Sequence, residues 1–290
     1  MPAPVVLVVG SLHYDIMLQA PRLPRRDETV AGSRWWPSFG GKGGNQAVAV
    51  ARAGVPCRML GAVGDDGFAP LLRDGLRAGG VDDRFIQTIA TSGSGMSVAI
   101  SVPGGDYAAV IVSGANLAID PAPLADDALW QGVAVLLLQN EVAPALNLAA
   151  AQAARARGLP LVLNAAPMRD LAPAFAELVD VLVVNAVEAE MLGGGAVTDL
   201  ASAARAADRL AARFAAVVVT AGAAGLAASA LGSPGCTLDA ESVTVHSSHG
   251  AGDVFTGTLA AALAKGMPLG TACQRGSTAA AAHVAGRSPR

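Results

Sequence analysis

The run His249-Gly250-Ala251-Gly252-Asp253-Val254-Phe255-Thr256-Gly257 sets three glycines and a carboxylate ahead of the alanine-rich residues 258–264. Small residues entering a segment of strong helix formers predict a helix N-terminus on which the backbone N–H groups of residues 250–253 converge. Amides without intrahelical partners, together with the positive end of the helix dipole, suit an anion such as a phosphate in transfer. A carboxylate in such a place repels a phosphate unless it has a task, and accepting the proton of an attacking hydroxyl is the obvious one. Taken alone, Gly-x-Gly-Asp before an apolar helix equally describes a loop-to-helix junction with Asp253 as a cap or dipole partner. Its weight therefore depends on the rest of the chain.

Toward the other end, Phe39-Gly40-Gly41-Lys42-Gly43-Gly44-Asn45-Gln46-Ala47 packs four glycines around Lys42 and Asn45. Glycine lets backbone approach a ligand, and Lys42 and Asn45 supply donors at the start of a helix expected over 46–53. This suits a polyol or sugar site better than a tight surface turn. The spacing is not that of a P-loop, which needs Gly-Lys-Ser/Thr. Glu141, Asn164, Asn185 and Glu188 each follow an apolar run, at the strand ends where open α/β sheets bind ligands. Any one of them alone would serve as a helix cap; several at one sheet edge point to a site. Thr220-Ala221-Gly222-Ala223-Ala224-Gly225, after Val217-Val218-Val219, reads either as a nucleotide-phosphate turn or as a plain hairpin. His246 and His249 lack acids or cysteines at ligand spacing and read as polar loop residues rather than a metal site.

The elements that must hold these residues follow from the apolar pattern. Val5-Val6-Leu7-Val8-Val9 is a continuous run ending at Gly10, as in a strand buried on both faces, and similar runs recur at 134–138, 161–163, 181–184 and 217–219. Between them lie helical segments that end in a basic residue and a glycine, at Gly54, at Gly79-Gly80, at Gly158 and at Gly266, which is C-cap chemistry. Strand and helix alternate, so the fold class is α/β around a mostly parallel sheet. Residues 15–19, 29–38, 97–102 and 107–112, the last two flanking the turn Pro103-Gly104-Gly105-Asp106, read instead as short antiparallel strands of a small separate sheet. Such a sheet either covers a cleft as a lid or pairs with the same sheet of a second subunit. Trp35 and Trp36 are assigned to structural packing there, with subunit contact second.

The chain has 290 residues, 52% of them hydrophobic and 15% charged, enough to bury a large core as one soluble α/β unit spanning 1–290. A net charge of −3 implies no basic surface, so nucleic acid is not expected as a partner. The 3 cysteines, Cys57, Cys236 and Cys273, are widely spaced, which argues for core fillers in a reducing compartment rather than disulfides or zinc. No apolar run has the length of a membrane span, and Met1-Pro2-Ala3-Pro4 lacks the basic region of a signal. A cytoplasmic location is expected.

In this order the motifs resemble the PfkB family of carbohydrate kinases, and within it the ribokinase-like branch, over nearly the whole chain. Residues 40–49 match the N-terminal signature and residues 250–257 the C-terminal one. The resemblance implies a doubly wound sheet flanked by helices, with a small β-sheet lid inside 13–38 and 95–113 that makes a homodimer. It implies transfer of the ATP γ-phosphate, with magnesium, to the primary hydroxyl of ribose or a similar small sugar. Position by position, Asp253 becomes the base and Gly250, Ala251 and Gly252 the anion hole. His13, Asp15, Gly41, Lys42, Asn45 and Glu141 become the sugar site. Asn185 and Glu188 match the family's Asn-x-x-Glu, which holds magnesium and phosphate through water. Thr220, Gly222 and Gly225 become the nucleotide site, with Ser277 near the adenine.

The chain departs from that pattern in four places. His13 replaces the usual Asn beside the sugar, which changes the hydrogen bonds available to it. Ser247 replaces the aspartate that holds an activating monovalent cation, and a neutral hydroxyl binds potassium more weakly. Ala186 and Val187 replace a polar pair. The sequence ends at Arg290 without the Gly-Ala turn and closing helix that commonly follow, so part of the nucleotide or cation pocket is expected to be open or differently built. Other acceptors, namely a nucleoside, deoxyribose, fructose or 2-keto-3-deoxygluconate, stay open, as does a non-catalytic sugar- or nucleotide-binding protein. Retention of Asp253, Lys42, Asn45, Asn185 and Glu188 together favours catalysis.

Overall fold

The structure, a computed structural model, describes residues 3–103 and 107–287. The turn expected at residues 104–106 lies outside the described residues. In chain order the strands are β1 (Val5–Val9), β2 (His13–Gln19), β3 (Arg34–Gly40), β4 (Cys57–Gly64), β5 (Val81–Ile89), β6 (Met96–Ser101), β7 (Tyr107–Val112), β8 (Val133–Gln139), β9 (Leu161–Asn164), β10 (Val181–Asn185), β11 (Ala216–Thr220), β12 (Leu226–Ala230) and β13 (Ser233–Leu238). The helices are α1 (Lys42–Arg52), α2 (Ala69–Ala78), α3 (Asp127–Trp130), α4 (Pro144–Ala156), α5 (Pro173–Ala176), α6 (Ala186–Met191), α7 (Leu200–Leu210), α8 (Ala251–Ala264) and α9 (Leu269–Val284).

Nine strands form one sheet in the order β13-β12-β11-β10-β9-β8-β1-β4-β5. All pairs from β11 through β10, β9, β8, β1 and β4 to β5 are parallel, and the reversed strand is β12, which pairs antiparallel with β11 and with the edge strand β13. The strand period of two sends alternate side chains to opposite layers. Leu7 and Val9 of β1 join one core with Leu136, Leu138 and Leu163, against α4 and α7. Val6 and Val8 join the other with Met59, Leu137 and Val162, against α1, α8 and α9. Both faces are covered, as the unbroken apolar runs require. The strand-to-helix rhythm read from the C-caps also holds: Gly54, Gly80, Gly158 and Gly266 all have φ between 68° and 79°, the left-handed conformation of a helix-terminating glycine.

β1 lies between β4 and β8, so the chain leaves it toward one side of the sheet and later returns on the other. The carboxyl ends of β1 and β8 thus flank a topological switch point, where the loops diverge and leave a crevice. Residues following both strands reappear in the site below.

The second sheet has the order β3-β2-β6-β7. Its two hairpin-like pairs, β2 with β3 and β6 with β7, are antiparallel, but they are joined by parallel pairing of β2 with β6. This corrects the expectation of antiparallel strands throughout. The strand expected over 29–38 begins only at Arg34 and runs to Gly40. Trp35 is 64% exposed and so is mostly outside the packing expected of it, while the Arg34 guanidinium lies over the half-buried Trp36 ring, 5.0 Å from its centroid. Among the described residues, no helix is long and apolar enough to cross a membrane.

Candidate active site

The helix expected from residue 46 begins four residues earlier, at Lys42, and this correction explains the glycines. A Cβ on Gly43 would lie 2.5 Å from the Ser11 nitrogen and 2.6 Å from the Gly10 carbonyl carbon. One on Gly44 would meet the Phe39 ring at 2.7 Å and a Leu12 methyl at 2.8 Å. The glycines are bare so that the first turn of α1 can press against the segment leaving β1, and close helix-to-backbone packing overrides their low helix propensity. Gly41 enters the helix with φ 84°, a conformation that a side chain would strain.

Starting at Lys42, α1 carries Lys42, Asn45 and Gln46 at i, i+3 and i+4, on one face. That face meets α8. At the crossing, a Cβ on Gly257 would lie 2.5 Å from the Gln46 carbonyl oxygen and 2.7 Å from the Ala49 methyl, so the motif's last glycine is what lets the helices touch. Asp253, one turn earlier on α8, is thereby pressed against the donors of α1. Asn45 Nδ2 donates to Asp253 Oδ2 at 3.2 Å and Gln46 Nε2 donates to Oδ1 at 2.9 Å.

Asp253 is 6% exposed. Burial lifts its carboxyl above the ordinary aspartate range, the Lys42 charge and the Gln46 and Asn45 hydrogen bonds pull against that rise, and the Glu141 charge adds to it. A carboxylate lifted toward neutrality while its ionised form is still solvated by two amides is suited to taking a proton. Gly250 precedes the helix in the left-handed conformation, φ 74°. Ala251 N donates to Ser248 O at 3.2 Å, so among the described residues the amides without a partner at this terminus are those of Gly250, Gly252 and Asp253, while that of Ala251, expected to join Gly250 and Gly252, is engaged. A Cβ on the exposed Gly252 would meet nothing within 4 Å, so the helix end faces open space.

On one side of Asp253 lies a cluster of polar residues at the switch point. Glu141, just after β8, accepts from Ser11 Oγ at 2.5 Å and from the Lys42 backbone N–H at 2.8 Å, which ties the ends of β1 and β8 to the start of α1. His13 is 3% exposed; its Nδ1 lies 3.9 Å from Glu141 Oε2 and its buried Nε2 has no partner among the described residues. Asp15 accepts a short hydrogen bond from the Ser97 hydroxyl. Its carboxylate fills the space beside Gly40, where a Cβ would come within 1.9 Å of Oδ2. Asn164 is taken up structurally, donating to Thr256 Oγ1 at 3.2 Å and accepting from Ala166 N at 3.1 Å.

On the other side lies a cleft of about 530 Å³ that brings together Thr220, Gly222, Gly225, Gly252 and Ser277. The turn 220–225 is therefore both the hairpin between β11 and β12 and a wall of this cleft. Val243, Val245, Phe255, Ala280 and Ala281 give it apolar sides. Asn185 pairs in register with Thr220 beside the cleft. Asn185 Oδ1 accepts from Glu188 N, and Glu188 Oε2 accepts from Asn185 N, both at 2.9 Å, so this pair is the reciprocal cap of α6 and is not in the wall. Ser247 Oγ accepts from His249 N at 3.3 Å; it too lies outside the wall.

A lifted carboxylate at a helix N-terminus, between a polar cluster at a sheet switch point and an apolar cleft that reaches the same terminus, is the arrangement that an α/β phosphotransferase acting on a hydroxyl needs. The chain belongs to the pfkB family of carbohydrate kinases: residues 4–290 match the model described as pfkB family carbohydrate kinase. It is 35% identical over 275 residues to the ribokinase of Mus musculus, covering 90% of this chain and 82% of that one. It is 31% identical over 288 residues to the ribokinase of Haemophilus influenzae, covering 96% and 91%. Among solved structures it matches Arabidopsis thaliana ribokinase complexed with ribose and ATP with a TM-score of 0.89 at 27% identity, over 98% of this chain and 93% of that one.

Ser11 and Gln46 are polar partners in this site that sequence reasoning passed over. The signal for Gln46 is its i+4 spacing from Lys42, which shows only once the glycines are part of the helix. Gln46→Leu removes a hydrogen bond to the ionised form of Asp253, so the carboxyl holds its proton to higher pH. The acidic limb of the kcat/KM profile should move to higher pH with the alkaline limb unmoved. An acidic limb that stays put or moves to lower pH would refute this role of Gln46.

Proposed function

We propose that this chain transfers the γ-phosphoryl group of ATP to the primary hydroxyl of ribose, giving ribose 5-phosphate and ADP. The observation that carries the reading is the position of Asp253, on α8 between the polar cluster and the cleft, with its carboxylate held by α1. The two ribokinases above, similar over most of their length, support ribose as the acceptor. The solved ribokinase with ribose and ATP supports both partners.

The sugar lies with Asp15, Gly41, Lys42, Asn45 and Glu141, and with His13, whose unpaired Nε2 offers a hydrogen bond to a hydroxyl. Adenine lies among the apolar sides of the cleft near Ser277, and the phosphates run past Thr220, Gly222 and Gly225 toward Gly252. As the sugar oxygen attacks, the O–Pγ bond forms while the bond from Pγ to the β-phosphate oxygen breaks. The hydroxyl proton passes to Asp253, and ADP leaves with the bonding pair. The free amides of Gly250, Gly252 and Asp253 hold the charge on the equatorial oxygens, and Lys42 balances the carboxylates around it.

Magnesium, when bound, neutralises charge on the β- and γ-phosphates. Glu188 and Asn185 fit it as outer partners: Asn185 pairs in register with the cleft residue Thr220 and is capped by Glu188, both bring hard oxygen atoms, and magnesium keeps several waters, taking the rest of its ligands from phosphate and one or two carboxylates. Ser247, a neutral hydroxyl that already accepts from His249 N, makes potassium at most a weak activator. The chain acts as one unit over 1–290 in the cytoplasm, with the four-stranded sheet as a lid. Val110, Ile111 and Val112 of its edge strand β7 are 69%, 56% and 52% exposed, an apolar edge suited to a second copy of the chain. Light scattering should give twice the chain mass for the wild type and the single mass for Val110→Lys with Ile111→Lys; a monomeric wild type would contradict the dimer.

Coupled ADP release with ATP and magnesium, run over ribose, deoxyribose, fructose, 2-keto-3-deoxygluconate and nucleosides, tests the reaction. Ribose should be the best acceptor by kcat/KM. Asp253→Asn should lower kcat by roughly 10²–10⁴ with ribose binding retained. Preference for another acceptor would reassign the substrate, and near-normal turnover by Asp253→Asn would remove the base.

A further inference from the structure

The segment leading into the anion-binding end of α8 is held from outside by the last turn of α9. His246 N and Ser247 N both donate to Val284 O, at 2.8 and 3.4 Å. One residue back, His283 places Nε2 2.8 Å from His249 O. A carbonyl oxygen only accepts, so Nε2 carries the hydrogen. The same nitrogen would lie 3.6 Å from a Cβ on Gly250, which puts the ring directly under the residue that opens the helix.

The peptide between residues 249 and 250 is planar and trans, so its C=O and N–H point in opposite directions. Holding His249 O toward His283 therefore turns Gly250 N–H the other way, outward from α9. A rotation of this plane would swing the Gly250 amide away from its direction and disturb the left-handed conformation of Gly250, which carries the chain into α8. Glycine is free to make that rotation because it has no Cβ to hinder it, so an external restraint is needed. The backbone bonds to Val284 hold residues 246 and 247, whereas only the His283 side chain, among the described residues, bonds the 249–250 peptide.

We infer that His283 is a positioning residue for phosphate: through the His249 carbonyl it sets the peptide plane that aims the Gly250 amide at the transferring group. The inference rests on the phosphate site proposed above. His283 touches neither nucleotide nor sugar in this account. It stands on the helix whose Ser277, Ala280 and Ala281 wall the cleft, so the element that receives the base also sets the amide that receives the phosphate.

The test compares affinity for ATP with affinity for AMP, by calorimetry on the full chain, in wild type, His283→Ala and His283→Gln. The ratio of the two affinities reads the site for the terminal phosphates without any sugar. His283→Ala should lose about tenfold in ATP affinity, the scale of one misplaced donor to a charged group, with AMP affinity unchanged. Gln carries an N–H at nearly the reach of imidazole Nε2 and should restore ATP affinity to within about threefold. In turnover, His283→Ala should lower kcat with KM for ribose unchanged. An ATP-to-AMP ratio in His283→Ala equal to that of wild type, or a Gln variant no better than Ala, overturns the inference alone. A wild type that binds ATP no more tightly than AMP overturns the phosphate site and the inference with it.

Discussion

The site depends on keeping one carboxylate, Asp253, out of water and still able to ionise. Desolvation disfavours the charged form and a nearby carboxylate adds to that, while two amide donors and one lysine oppose it. The balance requires α1 and α8 to cross at a distance only glycine permits, because Gly257 sits against the Gln46 carbonyl and the Ala49 methyl. The glycines of both motifs therefore serve helix packing first. Close helices put donors on the acid; the acid's chemistry follows from that spacing.

The sheet supplies the second constraint. Ser11 follows β1, Glu141 follows β8, and the start of α1 is bonded to both, so the switch point is closed by a buried carboxylate on short hydrogen bonds. Parallel strands fix the height of these residues to within the register of a ladder. The polar cluster and the cleft are then two sides of one helix end, with Asp253 on the side of the first and Gly252 in the wall of the second. Water is excluded from the carboxylate by packing from α1, while the helix terminus stays open to an anion.

Much of this was legible in the chain. Unbroken β-branched runs such as 5–9 and 217–219 mark strands covered on both faces, and glycine after a basic residue marks the caps at Gly54, Gly158 and Gly266. The two motifs, in their order, carry the family and name Asp253. What stayed hidden involved tertiary override of local preference. Four glycines around Lys42 have poor helix propensity, so the first turn of α1 reads as loop until the backbone it packs against is known. Pairing of β2 with β6 joins strands far apart in sequence, and its parallel sense follows from the closing of the small sheet rather than from either strand. His283 sits within an alanine-rich helix with no local sign that its ring reaches back to residue 249.

The central claim is that Asp253 meets the hydroxyl that becomes phosphorylated. A crystal structure with ribose and a non-hydrolysable ATP analogue measures this directly, as the distance from the primary hydroxyl oxygen of the sugar to the nearest Asp253 carboxylate oxygen. The account predicts about 2.6–3.2 Å, with the γ-phosphate on the free amides at the start of α8. A ribose whose primary hydroxyl lies beyond hydrogen-bond reach of Asp253 while the nucleotide fills the cleft would contradict it.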